Sequence, residues 1–76
     1  MFEKVRDIIV DTLSCELEDV TMEATLAEDL GADSVDLVEL VMAMEEEFEL
    51  GQTAEDEVKA IKTVGDAVNF VASKLK

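Results

Sequence analysis

The apolar positions of this chain repeat with the period of an α-helix. The first repeat predicts a helix over residues 2–16, whose inward positions are Phe2, Val5, Ile8, Ile9, Thr12 and Leu13. The strongest repeat predicts a second helix over residues 34–49, whose inward stripe is Leu37, Leu40, Val41, Met44 and Phe48. Gly51 is expected to end this second helix, with Leu50 folding back onto it.

Two further helices are predicted in the last third of the chain. A short one over residues 54–61 turns Val58 and Ile61 inward and is capped by Thr53 and Asp56. The last one, over residues 63–75, has a Thr63–Asp66 capping pair and the inward positions Val64, Ala67, Val68, Val71 and Leu75. Its end carries Lys74 and Lys76, which suit the negative pole of a helix. Because strand alternation and internal repeats are missing from the sequence, we expect an all-α four-helix bundle with three longer helices and one short helix, forming a single domain over residues 1–76.

Residues 17–33 lose the helical period. Their apolar residues, scattered among acids, are Val20, Met22, Leu26 and Leu30. We expect a long loop laid over the core, with one helical turn begun by Thr25, whose partner at capping-box spacing is Glu28. Long loops in compact domains are often functional, and this one leads directly to Ser34.

Charge narrows the range of partners. The 76 residues carry a formal net charge of −14, and no Lys or Arg occurs between Asp7 and Val58. This balance argues against nucleic acid and against anionic membrane surfaces, and it favours proteins with basic patches. Apolar runs of the length of a signal peptide or a membrane span are missing, and the single cysteine, Cys15, fits a reducing compartment, so we expect a cytoplasmic protein. We also expect it to be a monomer.

The composition offers little for catalysis. The chain has no histidine, and Ser34 has no Lys nearby in sequence that would take its proton. Cys15 lacks an activating base as well and is read as a packing residue. The calcium-loop spacing is not met by Asp29, Asp33 and Asp36, so no metal site is expected beyond diffuse attraction of divalent ions. We therefore expect a protein that is not an enzyme.

Ser34 nevertheless stands out, because it opens the strongest helix directly after a turn that contains Gly31. A hydroxyl at a helix N-terminus is accessible to a modifying enzyme, and the helix favours a phosphate there by ~0.3–1 kcal/mol. Asp33 and Asp36 oppose that phosphate. The plain alternative is that Ser34 or Asp33 only caps the helix, and spacing alone does not separate the two interpretations.

The helix that Ser34 opens also has a second apolar face. We call it the mixed face; its residues are Val35, Glu39, Met42 and Glu46, with Val38 at its border. Apolar side chains framed by carboxylates are typical of a weak but specific protein contact. Ordinary surface scatter of apolar residues is the alternative.

These residues closely resemble those of free-standing bacterial acyl carrier proteins. The resemblance rests on Leu30-Gly31-Ala32-Asp33-Ser34-Val35-Asp36, on Val38 to Phe48 and on Ile61 to Ala67, and it extends over nearly the whole chain. It implies that Ser34 carries 4′-phosphopantetheine, added from coenzyme A by a phosphopantetheinyl transferase. It also implies that acyl chains are attached to this arm as thioesters and presented to the enzymes of fatty acid synthesis. The partner-binding residues it implies are Asp33, Val35, Asp36, Glu39, Met42, Glu45 and Glu46.

Two departures from the family pattern are visible. Position 35 is usually Leu or Met, and Val35 is shorter. Residues 49–54 lack the usual Ile-Pro pair and are one residue longer. Two other functions stay open at this point: a carrier of a polyketide or other specialised acyl-transfer pathway, and, from a different class, an unmodified acidic adaptor.

Overall fold

The computed structural model describes residues 1–75, in which the chain forms four α-helices. Their bounds are α1, Phe2–Leu13; α2, Ser34–Phe48; α3, Glu55–Ala60; and α4, Val64–Leu75. With lengths of 12, 15, 6 and 12 residues, they confirm the expected all-α bundle of three longer helices and one short one. Extended strands are missing from this described range, where Thr25 and Thr63 form only an isolated antiparallel bridge.

The core lies where the inward stripes of α1, α2 and α4 meet. Its fully buried large side chains are Val5, Ile9, Leu26, Leu40, Met44, Val64 and Val71. Each long helix contributes two of them, so the periodic pattern identified the core faces correctly. Leu75 is an exception: it lies half exposed at the end of α4, not inward as predicted. The predicted role of Lys76 lies outside the described residues.

Three helices end earlier than predicted: α3 stops one residue early, at Ala60, and α1 and α2 both end on residues other than glycine. α1 stops at Leu13 because Ser14 adopts the left-handed conformation (φ 54°), so the helix does not reach residue 16. α2 stops at Phe48 because Glu49 does the same (φ 54°), ahead of the glycine expected to end it. Leu50 folds back as expected, and its amide donates to the carbonyl of Glu45 at 3.0 Å. Gly51 follows with its own positive φ of 77°.

The loop between α1 and α2 lies against the core and is tied to the start of α4. It begins with a 3₁₀ turn over Leu17–Asp19. Val20 and Leu26 are buried, whereas Met22 is exposed. Three backbone hydrogen bonds join the two segments: from Leu26 to Lys62 (2.9 Å), from Val64 to Ala24 (3.0 Å) and from Gly65 to Met22 (2.9 Å). We call these bonds the loop latch, and they fix the route by which the chain reaches Ser34.

One predicted cap is confirmed and two are wrong in their partners. The Thr63 hydroxyl accepts from the Asp66 amide at 3.1 Å, and the Asp66 carboxylate accepts from the Thr63 amide at 3.1 Å, as the spacing predicted.

The turn at Thr25 uses Asp29 where Glu28 was expected, because the Asp29 carboxylate reaches both the amide (2.8 Å) and the hydroxyl (2.7 Å) of Thr25. At the start of α3, Glu57 accepts from the Ala54 amide at 3.4 Å. The helix therefore begins one residue later than predicted, and Thr53 and Asp56 are not its caps.

Candidate functional site

Asp33 caps α2, so that Ser34 is the first residue inside the helix. The Asp36 amide donates to Oδ1 of Asp33 at 2.9 Å, and the Asp33 amide donates to Oδ2 of Asp36 at 3.2 Å. This reciprocal capping box satisfies two amides that the helix geometry leaves without partners. The cap is therefore supplied by Asp33, one of the two residues that the sequence offered for it, and the exposed Ser34 lies outside that role.

The turn before Ser34 places it at a corner of the molecule. Gly31 has a φ of 74°, a conformation that costs glycine little because it has no Cβ. Ala32 is buried, and its amide donates to the Leu26 carbonyl at 2.8 Å. A buried anchor on one side and a capped helix on the other hold Ser34 in a fixed, solvent-facing position.

A groove runs from Ser34 toward α3. It encloses about 230 Å³ and is lined by Ser34, Leu37, Val38, Glu55, Val58 and Lys59. We call it the Ser34 groove. A second cleft, of about 300 Å³, lies between the loop before α2 and the end of α3, and it shares Leu37 and Lys59 with the first. The attachment candidate thus borders a partly apolar channel between helices.

The side chains around Ser34 fit a hydroxyl that is modified by another enzyme better than they fit a catalytic nucleophile. The charged residues lining its groove are Glu55 and Lys59, which form an exposed ion pair at 3.7 Å. Asp33 and Asp36 are already engaged with backbone amides in the capping box. A nucleophilic serine needs an adjacent base oriented toward its hydroxyl, and these carboxylates face amides.

The mixed face of α2 begins beside Ser34 and is open to solvent. Val35 is 63% exposed, Val38 50% and Met42 56%, which are high values for apolar side chains on a helix of a bundle. Glu39 and Glu46 on the same face are exposed as well. Of the other residues that the resemblance implies as partner contacts, Asp33 is exposed, whereas Asp36 and Glu45 are half-buried. The structure therefore presents apolar contacts framed by carboxylates next to Ser34.

Cys15 lies just beyond the end of α1 and packs, half-buried, against the core. Burial raises the pKa of its thiol, and the nearby carboxylates of Asp19 and Glu16 raise it further, against a lowering backbone hydrogen bond. A thiol held protonated in this way is a poor nucleophile. Within residues 1–75, His, Cys, Asp and Glu side chains form no group of three or more able to hold a metal ion.

The sequence did not reveal that α3 forms the opposite wall of the Ser34 groove. Glu55 and Lys59 are more than 20 positions away from Ser34, and local periodicity carries no information about such a contact. One signal was present: Lys59 is the first base after a stretch without Lys or Arg that begins at Asp7. Among the helices described, none is long and apolar enough to cross a membrane.

Comparison with known proteins assigns this sequence to a family. Residues 3–71 match the family model described as phosphopantetheine attachment site. An acyl carrier protein of Petrotoga mobilis is 54% identical over 76 residues, covering 99% of this chain and 87% of its own length. Acyl carrier proteins of Clostridium perfringens and Clostridium acetobutylicum are 48% and 46% identical over 71 residues, covering 93% of this chain and 92% and 91% of theirs. The chain therefore belongs to the acyl carrier proteins of the phosphopantetheine attachment family, which are carriers and not enzymes.

Proposed function

We propose that Ser34 is the residue to which 4′-phosphopantetheine is attached, and that the acyl thioesters on this arm serve fatty acid synthesis. The observation that carries the proposal is the division of roles at the start of α2. Asp33 caps the helix, which leaves an exposed hydroxyl at its first position. The matched family region, residues 3–71, includes this position.

Attachment asks little of the carrier itself. A transferase brings coenzyme A to Ser34, and the Ser34 oxygen forms the new bond to phosphorus. The P–O bond that joins this phosphorus to the adenosine-containing half of coenzyme A breaks, and that half departs with the oxygen. The proton of the hydroxyl passes to a base of the transferase, because the carboxylates nearest in sequence are occupied by the capping box. The carrier contributes a fixed, accessible oxygen, and the α2 N-terminus lowers the free energy of the phosphate by ~0.3–1 kcal/mol.

The partners we propose are the phosphopantetheinyl transferase and the fatty acid synthesis enzymes. We also propose that the carrier is a monomer and acts in the cytoplasm. The net charge of −14 draws basic surfaces toward the carrier, and the mixed face then supplies apolar contacts around Val35 and Met42. Asp33, Asp36 and Glu45, which border that face, complete the proposed contact surface.

Intact-mass analysis tests the attachment site. The purified chain is incubated with coenzyme A and a phosphopantetheinyl transferase, beside an established carrier as a positive control. We expect the mass to rise by one phosphopantetheinyl group, to stay unchanged in Ser34→Ala, and to rise normally in Ser73→Ala, which removes an exposed hydroxyl in α4. An unmodified chain in a reaction that modifies the control carrier would favour the acidic adaptor.

A separate measurement addresses the pathway. The modified chain is loaded with a short acyl group and offered to a ketoacyl synthase of fatty acid synthesis. Elongation at a rate near that of a fatty acid carrier supports the proposal. Failure to elongate with intact loading would point to a specialised acyl-transfer pathway.

A further inference from the structure

We propose that Lys59 binds the phosphate of the arm on Ser34 and thereby directs the arm along the groove between α2 and α3. The inference rests on the proposed attachment at Ser34 and adds a positioning residue to it. Lys59 touches neither the thioester nor the reacting acyl group in this arrangement.

Position is the first argument. Lys59 and Ser34 line the same groove, on opposite walls supplied by α3 and α2. Because no Lys or Arg occurs between residues 7 and 58, α2 and the loop before it supply no cation to this groove, and Lys59 reaches it from α3. Within the described residues, Lys59 is the cationic side chain that lines the Ser34 groove.

Availability is the second argument. The ion pair of Lys59 with Glu55 has a separation of 3.7 Å, and the two side chains are 72% and 84% exposed. Such pairs contribute little and exchange readily with other partners. Lys74, by contrast, sits 3.0 Å from Glu57 with only 29% of its side chain exposed. Lys59 is therefore a cation free to turn toward a new anion, whereas Lys74 is held in place.

Charge balance is the third argument. A phosphate on Ser34 adds a negative charge beside Asp33 and Asp36, in a domain that already carries −14. Lys59 offsets that charge from the groove side, while the carboxylates of the mixed face repel it from the other side. The combination pulls the first part of the arm toward α3 and keeps Val35 and Met42 uncovered for partners.

The direct test compares the lysine side-chain NMR resonances of the unmodified and the modified protein, after intact-mass analysis has shown complete attachment at Ser34. With ¹³C-labelled lysine, we expect modification to shift the Cε resonance of Lys59, because its ammonium group then contacts a new negative charge. Lys62 is the internal control, because it borders the second cleft but not the Ser34 groove. The Cε resonance of Lys62 is expected to move much less, because solvent and salt screen the new charge there.

A variant pair provides a second measurement. Lys59→Gln is expected to shift the ³¹P resonance of the attached phosphate and to increase arm mobility, whereas Lys62→Gln leaves both unchanged. Equal changes in the Cε resonances of the two lysines, or a ³¹P resonance that Lys59→Gln leaves unchanged, would overturn the proposal. Lack of a mass increase would instead refute attachment at Ser34, so the two failures are distinguishable.

Discussion

The stability of α2 is expected to depend on the cap that Asp33 provides, and not on the hydroxyl of the adjacent Ser34. Asp33 provides the cap of α2, through an acceptor 2.9 Å from the Asp36 amide, whereas Ser34 is exposed and takes no part in that box. Asp33→Ala removes the acceptor and leaves the Asp36 amide to water. Ser34→Ala removes only the hydroxyl that we assign to the arm.

The size of each effect follows from these contacts. Loss of a carboxylate cap costs about 1 kcal/mol, within a range of about 0.5–2 kcal/mol. For a domain of this length, 1 kcal/mol lowers the melting temperature by roughly 4–8 °C. Ser34→Ala places the best helix former at an exposed helical position, so its free energy of unfolding should change by less than about 0.5 kcal/mol.

Urea unfolding followed by circular dichroism at 222 nm, with parallel mass analysis, measures both properties in the same samples. Asp33→Asn is the matched control, because its amide oxygen still caps the helix without the charge. We expect Asp33→Asn to keep most of the stability that Asp33→Ala loses. A Ser34→Ala variant as destabilised as Asp33→Ala would show that Ser34 supports the helix and would refute this division of roles.

Three further outcomes are expected. Glu39→Lys should weaken binding of the proposed partners several-fold at low salt, with little change in melting temperature. Glu23→Lys reverses a charge at an exposed loop position and should affect binding much less. Titration calorimetry measures the binding of both variants. Raising salt from 10 to 150 mM shortens the screening length from about 30 to 8 Å, so the melting temperature should rise; a temperature independent of salt would contradict repulsion among carboxylates. The amides of Lys62 and Thr63 hold the pKa of Asp66 below its ordinary 3.8, so the stabilisation is present above pH 3.8 and is lost as the pH falls through the lowered value. The stability difference between wild type and Asp66→Asn should therefore shrink in acid, and a constant difference would exclude this account.

The helices were predictable because each long one has to bury a stripe of side chains, and that stripe is visible in the sequence. The ends of the helices were less predictable. Ser14 and Glu49 take the left-handed conformation that usually belongs to glycine, and composition gives no warning of it. The capping partners at Thr25 and Ala54 were each missed by one position, because several carboxylates stand close enough in sequence to compete.

The site divides in the same way. The exposure of Ser34 and of the mixed face follows from the period of α2 alone, and the resemblance to acyl carrier proteins was carried by residues adjacent in sequence. The groove beside Ser34 depends on how α3 returns against α2, a contact between distant segments. Lys59 was visible in the sequence as an isolated base, but its place became apparent only from the fold.

The loop latch has a consequence for how the chain resists degradation. A connection of this length between two helices would ordinarily be the first place a protease cuts, since cleavage needs several residues to leave the surface and extend. Here, release of the segment around Leu26 would break three backbone hydrogen bonds to residues 62–65 and pull a fully buried side chain into water. The first cleavage should occur instead between residues 49 and 54, where the connection is shorter but less firmly held. It would separate α2 from α3 and leave the loop before Ser34 intact.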